Sequence, residues 1–213
     1  MIGAGVNAEE GARVVGTPAV EQAGMDLDTI EAGIKLVLQG IGEDAGREGL
    51  ARTPRRVAEM YQEVLSGIHQ NLRDIVQPIP SDKHQELVLI KDIPFHSICE
   101  HHLTPFFGFA HVAYIPSRDG MIAGLSKLPR LVKVAAARLQ LQERLTSCIA
   151  DTLVETLNPE GVLVLVQAEH LCMSMRGVRA EGTQTVTSAV RGIFRTSSAT
   201  RAEVLALIDA PRK

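Results

Sequence analysis

Two short clusters of metal-binding residues, far apart along the chain, constrain the fold more than any other feature of this sequence. The first is Cys99-Glu100-His101-His102, and the second, about seventy residues later, is His170-Leu171-Cys172. Thiolate and imidazole together select zinc over magnesium or calcium. One site built from both clusters can form only by tertiary folding, so the fold must bring two distant segments to one point.

The spacing within each cluster predicts how the ligands are presented. Cys99 and His102 are three residues apart, so a tight turn can direct both at one ion. We predict a long strand from Val162 to Met175. His170 and Cys172 are two apart and would share one face of that strand.

The number of protein ligands decides between two kinds of zinc site. Four side chains would make a closed structural site, whereas three would leave a position for water and a catalytic site. His101 and His102 are adjacent and cannot easily both point at one ion, which favours the open site. Its ligands would be Cys99, His102 and Cys172. His101 and His170 would remain beside the metal to move protons in metal-assisted hydrolysis. A closed knot of two Cys and two His is the alternative.

Size and composition bound the class of protein. The 213 residues suggest one substantial domain plus a minor segment, and the formal net charge of −3 does not imply a general attraction to nucleic acid or to a membrane. The three cysteines argue against a disulfide framework and fit a reducing compartment. We find neither a signal-peptide pattern nor an apolar run approaching ~20 residues, so we expect a cytoplasmic protein.

The periodicity of apolar residues predicts an α+β fold with an antiparallel sheet, because pairs of strands alternate with pairs of helices. We expect a flexible tail at 1–25, a helical segment at 26–80 and a catalytic domain at 81–213. Pro94 should end the first strand, and Thr200-x-x-Glu203 should form a capping box for the last helix. The predicted strands are Glu86–Ile93, Phe106–Ile115, Val162–Met175 and Thr183–Val190. The predicted central helices are Ser126–Leu139 and Leu141–Leu157.

Basic residues near the clusters could bind a triphosphate. Ser126, Lys127 and Arg130 lie at a predicted helix start, where backbone N–H groups also favour phosphate. If the strand through Cys172 stayed regular, Arg176 would lie about 13 Å further along the same face, at ~3.3 Å per residue. The alternative is a set of ordinary surface charges.

Two further pairs of neighbouring polar residues could either bind the substrate or have only an ordinary structural role. Gln142 and Glu143 open a helix, where a carboxylate can accept hydrogen bonds from N1–H and the 2-amino group of guanine, or can simply favour the helix dipole. Arg55 and Arg56 are either solvated or reach toward an anion.

Taken together, these residues resemble the GTP cyclohydrolase I family over about residues 26–208. The matching segments are Arg52-Thr53-Pro54-Arg55-Arg56-Val57, Cys99-Glu100-His101-His102, Gly124-Leu125-Ser126-Lys127-Leu128, Gln142-Glu143-Arg144-Leu145, His170-Leu171-Cys172-Met173 and Met175-Arg176-Gly177-Val178.

The resemblance implies zinc-dependent hydrolysis of GTP to 7,8-dihydroneopterin triphosphate and formate, the first step of tetrahydrofolate and pterin biosynthesis. It implies that Zn²⁺ is the cofactor and strengthens the open-site interpretation. The implied site residues are zinc ligands Cys99, His102 and Cys172; catalytic His101 and His170; guanine-recognition residues Gln142 and Glu143; and triphosphate contacts Ser126, Lys127, Arg130, Arg176 and, from a neighbouring subunit, Arg56.

The resemblance also implies the tunnelling fold, in which sheets from five subunits close into a barrel and two rings form a decamer with sites at subunit junctions. Two rivals remain. One is another tunnelling-fold enzyme, such as a nitrile reductase, which centres on a cysteine nucleophile without zinc. The other is a zinc-stabilised nucleotide-binding scaffold that would not release formate.

Overall fold

The computed structural model describes residues 24–81 and 84–211, so the predicted tail at 1–25 lies outside the described residues apart from its last two. Among the described residues, no helix is long and apolar enough to cross a membrane. The elements are α1 Leu27–Gly40, α2 Thr53–Val64, a 3₁₀ turn Leu72–Asp74, β1 Pro78–Pro80, β2 Val88–Cys99, β3 Pro105–Ile115, β4 Met121–Ala123, α3 Lys127–Ala136, β5 Leu139–Gln140, α4 Gln142–Leu157, β6 Gly161–His170, α5 Leu171–Ser174, β7 Thr185–Gly192, α6 Ile193–Thr196 and α7 Ser198–Asp209.

The central sheet has the strand order β5-β2-β3-β6-β7. The neighbours β2, β3, β6 and β7 are antiparallel, and β5 is a short parallel addition beside the end of β2. The predicted α+β class is therefore confirmed. Because β3 runs opposite to both β2 and β6, the last residues of β2 and β6 lie at the same end of the sheet, which we call the site end.

Alternating side chains give the sheet two different faces. On one face, Val164 and Val166 of β6 belong to the main apolar core, together with Leu145, Ile149 and Leu153 of α4. This face is covered by α3 and α4. A smaller cluster covers part of the other face, formed by Ala113, Leu163, Phe194, Val204 and Ile208.

The prediction that Pro94 ends the first strand is wrong, because β2 continues to Cys99. Pro94 pairs with Phe109 of β3, and β5 reaches β2 only at its last two residues. The missing N–H of Pro94 therefore faces an edge and breaks no ladder. The pairing register shifts by one residue at Asp92, whose φ is 58° and whose N–H donates to His111 Nδ1 at 3.2 Å. The bulge thus gives the buried His111 ring a backbone hydrogen-bond donor.

The long strand predicted from Val162 to Met175 is also wrong, because it ends at His170. His170 pairs with Phe106 near the start of β3, and there is no β3 residue left to pair beyond Pro105. After His170 the backbone N–H and C=O groups form hydrogen bonds within the short helix α5, where Met175 N–H donates to Leu171 O at 3.0 Å. Cys172 therefore lies on a helical turn and not on the strand face.

The capping box predicted from Thr200 and Glu203 is wrong as well. The N-cap residue is Ser197, three residues before Thr200, and the last helix begins at Ser198. The Ser197 hydroxyl accepts a hydrogen bond from Thr200 N–H at 3.2 Å.

Candidate metal and catalytic site

A tight turn at the site end presents the first metal-binding cluster. Cys99 ends β2, and its N–H donates to Thr104 O at 2.8 Å. Leu103 N–H donates back to Cys99 O at 2.8 Å, and Leu103 adopts a left-handed φ of 53°. This turn between β2 and β3 carries His102. Cys172 lies in α5, directly after β6, so the sheet brings both clusters to one end.

The two clusters form one group of potential metal ligands. One donor atom each from Cys99, His102 and Cys172 lies within 4.8 Å of the other two. Tetrahedral zinc with bonds of about 2.3 Å to sulfur holds its ligand atoms roughly 3.5–3.8 Å apart, so a small contraction would suffice. His101 is outside this group, as expected if adjacent histidines cannot share an ion.

The electrostatics of the cysteines also fit a cation. Burial raises the pKa of the Cys172 thiol, the neighbouring Cys99 thiol raises it further, and the Thr104 hydroxyl opposes the shift. Two thiols that hinder each other's ionisation would both be stabilised as thiolates by a divalent ion between them. Three protein ligands leave a position for water, which is the arrangement of catalytic zinc sites.

His170 lies beside this group as the last residue of β6. Its ring stacks on Phe106, with centroids 4.6 Å apart and an interplanar angle of 3°. Its Nε2 lies 2.7 Å from Gln142 Oε1. Burial lowers the pKa of His170, and the charge of the nearby Glu143 carboxylate partly offsets that effect. The imidazole is therefore held in a fixed plane with a preference for its neutral form.

His101 is exposed in the turn, and its ring is nearly perpendicular to that of His102, with centroids 6.2 Å apart. It is thus near the metal ligands without belonging to them. Arg176 is much closer to the metal group than the strand model predicted, because its Nη1 lies 3.3 Å from His102 Nε2. The turn into α5 brings Arg176 back toward the cluster.

Gln142 and Glu143 at the start of α4 have different surroundings. Glu143 is exposed and available to a ligand. Gln142 is only 2% exposed, and its side-chain amide is fully engaged by protein atoms, including His170.

Sequence reasoning missed a contact between the metal-binding turn and α4. Arg144 forms an ion pair with Glu100, which lies between Cys99 and His101. Arg144 also donates to Leu139 O at 2.9 Å. Both residues lie in segments already singled out, but their pairing depends on β5 running beside β2. The pair ties the metal-binding turn to the helix that carries Glu143.

Three predicted triphosphate contacts lie away from this site within one chain. The end of α3 is beside the site end, since Ser97 Oγ donates to Ala136 O at 2.7 Å. Lys127, the first residue of the helix, is nine residues back from Ala136, which is about 14 Å at ~1.5 Å per residue. Ser126, Lys127 and Arg130 are therefore at the far end of the helix. Arg56 is exposed on α2.

These features define a class: an α+β protein whose donor atoms suit a zinc site of the hydrolytic type, with histidines beside it. The sequence profile of GTP cyclohydrolase I matches residues 30–209. The chain belongs to the GTP cyclohydrolase I family.

Similar proteins cover most of the chain. GTP cyclohydrolase 1 of Caldanaerobacter subterraneus subsp. tengcongensis is 56% identical over 188 residues, covering 88% of this chain and 100% of that protein. GTP cyclohydrolase 1 of Bacillus subtilis is 59% identical over 181 residues, covering 85% and 95%. That of Geobacillus kaustophilus is 59% identical over 181 residues, covering 85% and 96%.

Proposed function

We propose that this protein hydrolyses GTP to 7,8-dihydroneopterin triphosphate and formate with zinc as cofactor, the entry reaction of tetrahydrofolate and pterin biosynthesis. The observation that carries the proposal is the Cys99, His102 and Cys172 group with His170 beside it, in a chain that is 56% identical to a GTP cyclohydrolase 1 over 88% of its length. The Cys99 and Cys172 thiols must stay reduced to bind metal, which fits the cytoplasm.

The residues have separate tasks in this reaction. Zinc held by Cys99, His102 and Cys172 would supply Lewis-acid activation of water for attack at C8 of guanine. His170 and His101 accept and return protons as the imidazole ring of the substrate opens and formate leaves. The Glu143 carboxylate accepts hydrogen bonds from N1–H and the 2-amino group of guanine. Arg176 supplies positive charge to the triphosphate.

Assembly completes the site in this proposal. Lys127 is about 14 Å along α3 from the site end, and we propose that a second subunit supplies the α3 cations, Ser126 and Arg56 for a given metal group. We propose the tunnelling fold, with five sheets closing a ring and two rings forming a decamer. The β7 strand is an edge of the five-stranded sheet, and closure would pair it.

Formate release and the ultraviolet spectrum of the product, measured on zinc-loaded protein with GTP, test the proposed reaction. His101→Ala and His170→Ala should abolish turnover but retain stoichiometric zinc. GTP binding without formate would contradict the proposal and favour a nucleotide-binding scaffold. Loss of zinc in both variants would instead favour the closed structural knot.

A mixing experiment tests the shared site. Cys172→Ser and Lys127→Ala subunits should each be inactive alone. Co-expressed in one oligomer, they should recover part of the wild-type activity, because some junctions then combine an intact metal group with an intact α3. No recovery in mixed oligomers of confirmed composition would mean that the site lies within one subunit.

A further inference from the structure

The side chain of Gln142 has an orientation that its surroundings determine. Its Nε2 donates to Val166 O at 3.1 Å, to Thr185 O at 3.0 Å and to Thr187 Oγ1 at 3.1 Å. Two of these partners are carbonyl oxygens, which can only accept. Flipping the amide would press Oε1 against both of them in a buried position. The nitrogen therefore faces the strands, and Oε1 faces His170.

This orientation determines which ring nitrogen of His170 carries hydrogen. Gln142 Oε1 has no hydrogen to give, and it lies 2.7 Å from His170 Nε2. Nε2 must therefore be the donor. In neutral His170 the lone pair is then on Nδ1, because an imidazole carries one N–H.

Two threonines close the network without leaving an unpaired group. The Thr146 hydroxyl donates to Gln142 O at 2.7 Å, so its single proton is engaged. Thr187 Oγ1 lies 2.6 Å from Thr146 Oγ1 and must donate to it. The Thr187 oxygen then accepts from the Gln142 amide. The two N–H bonds of the Gln142 amide are shared among three acceptors, and each threonine hydroxyl proton has one acceptor, so this buried network fixes the Gln142 side chain.

We infer that Gln142 is a positioning residue, which holds His170 as the Nε2–H tautomer. Nδ1 is then the ring nitrogen whose lone pair can accept a proton during the reaction of the substrate. Stacking on Phe106 fixes the plane of the ring, and the bond to Gln142 fixes its rotation in that plane. The inference rests on the proposed function for its catalytic consequence. It assigns guanine recognition to Glu143 without help from the Gln142 side chain.

Steady-state kinetics of Gln142→Met test the catalytic consequence. Methionine keeps the approximate volume of glutamine, but its thioether sulfur is only a weak acceptor for the His170 N–H. We expect kcat to fall about 10- to 100-fold, a part of the ~10²–10⁴-fold contribution of general acid–base catalysis, with KM for GTP within twofold of wild type. A raised KM with unchanged kcat would overturn the inference, because that pattern belongs to a residue that binds guanine directly. Unchanged kcat and KM would overturn it as well.

The tautomer itself can be observed without turnover. Solid-state NMR of sedimented zinc-loaded protein, with ¹⁵N in the histidine rings, reports which nitrogen of neutral His170 is protonated, and His170→Gln assigns the signal. We expect Nε2–H in the wild type and a mixture in Gln142→Met. Gln140→Met is a matched control, because Gln140 is also a buried glutamine, bonded to Ala135 O and Arg144 Nε and not to His170, and it should leave the tautomer unchanged.

The wild-type spectrum decides the inference even if Gln142→Met does not fold. Nδ1–H, or a mixture of tautomers, in the wild type would overturn it. If the wild type released no formate, the proposed function would fail, while the spectrum would still decide whether Gln142 positions His170.

Discussion

Replacing Gly108 by alanine tests how closely β3 and β6 must approach to build the site. A β-carbon on Gly108 would lie 1.9 Å from Gln167 O and 2.7 Å from Ala168 Cα, whereas ordinary contacts begin at 3.4 Å. Relieving the closest overlap requires a shift of about 1.5 Å between strands that normally lie ~4.8 Å apart. Because β3 has β2 on its other side, it cannot simply move outward.

The atoms that would be displaced are backbone atoms, which have no alternative rotamer. We therefore expect a cost near the upper end of the range for overpacking, about 3 kcal/mol in the free energy of unfolding. With a urea m-value of roughly 2 kcal/mol/M, the unfolding midpoint should fall by about 1.5 M. Gly108 is opposite Ala168, two residues before His170, so the zinc content of the purified variant should fall as well.

Urea unfolding followed by circular dichroism measures this effect, with Gly33→Ala as the matched control. A β-carbon on Gly33 meets nothing within 4 Å, and the residue lies inside α1. The same substitution should therefore stabilise by up to about 1 kcal/mol there. A Gly108→Ala midpoint equal to that of the wild type would refute the argument that the β3–β6 contact is too close for a side chain.

Three further results are expected. Cys99→Ser and Cys172→Ser should each lose stoichiometric zinc by mass spectrometry, whereas Cys148→Ser should retain it; equal loss in all three would count against the metal group. After zinc is removed under oxidation, peptide mapping should find a Cys99–Cys172 disulfide, since their sulfurs lie within 4.8 Å; a bond to Cys148 instead would contradict the geometry. Burial raises the pKa of Tyr114 above the ordinary tyrosine value of about 10, so its neutral form stabilises the fold below about pH 10 and that contribution is lost as pH rises through the folded pKa. Between about pH 9 and pH 11, the free energy of unfolding measured with urea should decline more steeply in the wild type than in Tyr114→Phe. Parallel profiles of the two proteins against pH would refute the linkage.

Periodicity predicted the bounds of helices and strands correctly where one face of the element is buried and its apolar residues repeat at regular spacing. The helix opening at Gln142 and the strand from Pro105 to Ile115 lie within one residue of their predicted bounds. It failed where pairing with a distant segment decides the outcome. Pro94 is tolerated inside β2 because it faces an edge, and no local signal gives the order of the strands.

The chemistry of the site could be predicted from the sequence, because the identity of a side chain determines which metals it can bind. Two thiols and several imidazoles predict a soft divalent metal in any fold. The choice of His102 over His101 as ligand was predicted from the sequence and agrees with the structure, but the placement of Cys172 on a helical turn depends on backbone directions that only the folded chain has. The proximity of Arg176 to His102 has the same origin, since it follows from the end of β6.

The sequence by itself determined the α+β class, the metal-binding residue types and the resemblance to GTP cyclohydrolase I, because each of these depends on residue identity and order. Tertiary structure alone decided that Cys99 and Cys172 meet, because β2 and β6 both run antiparallel to β3 and end on the same side. It also decided that Gln142 bonds to His170, since that contact joins a helix start to a strand end. The separation of two residues along the chain does not tell whether they are in contact. The pairing of strands determines which distant residues meet.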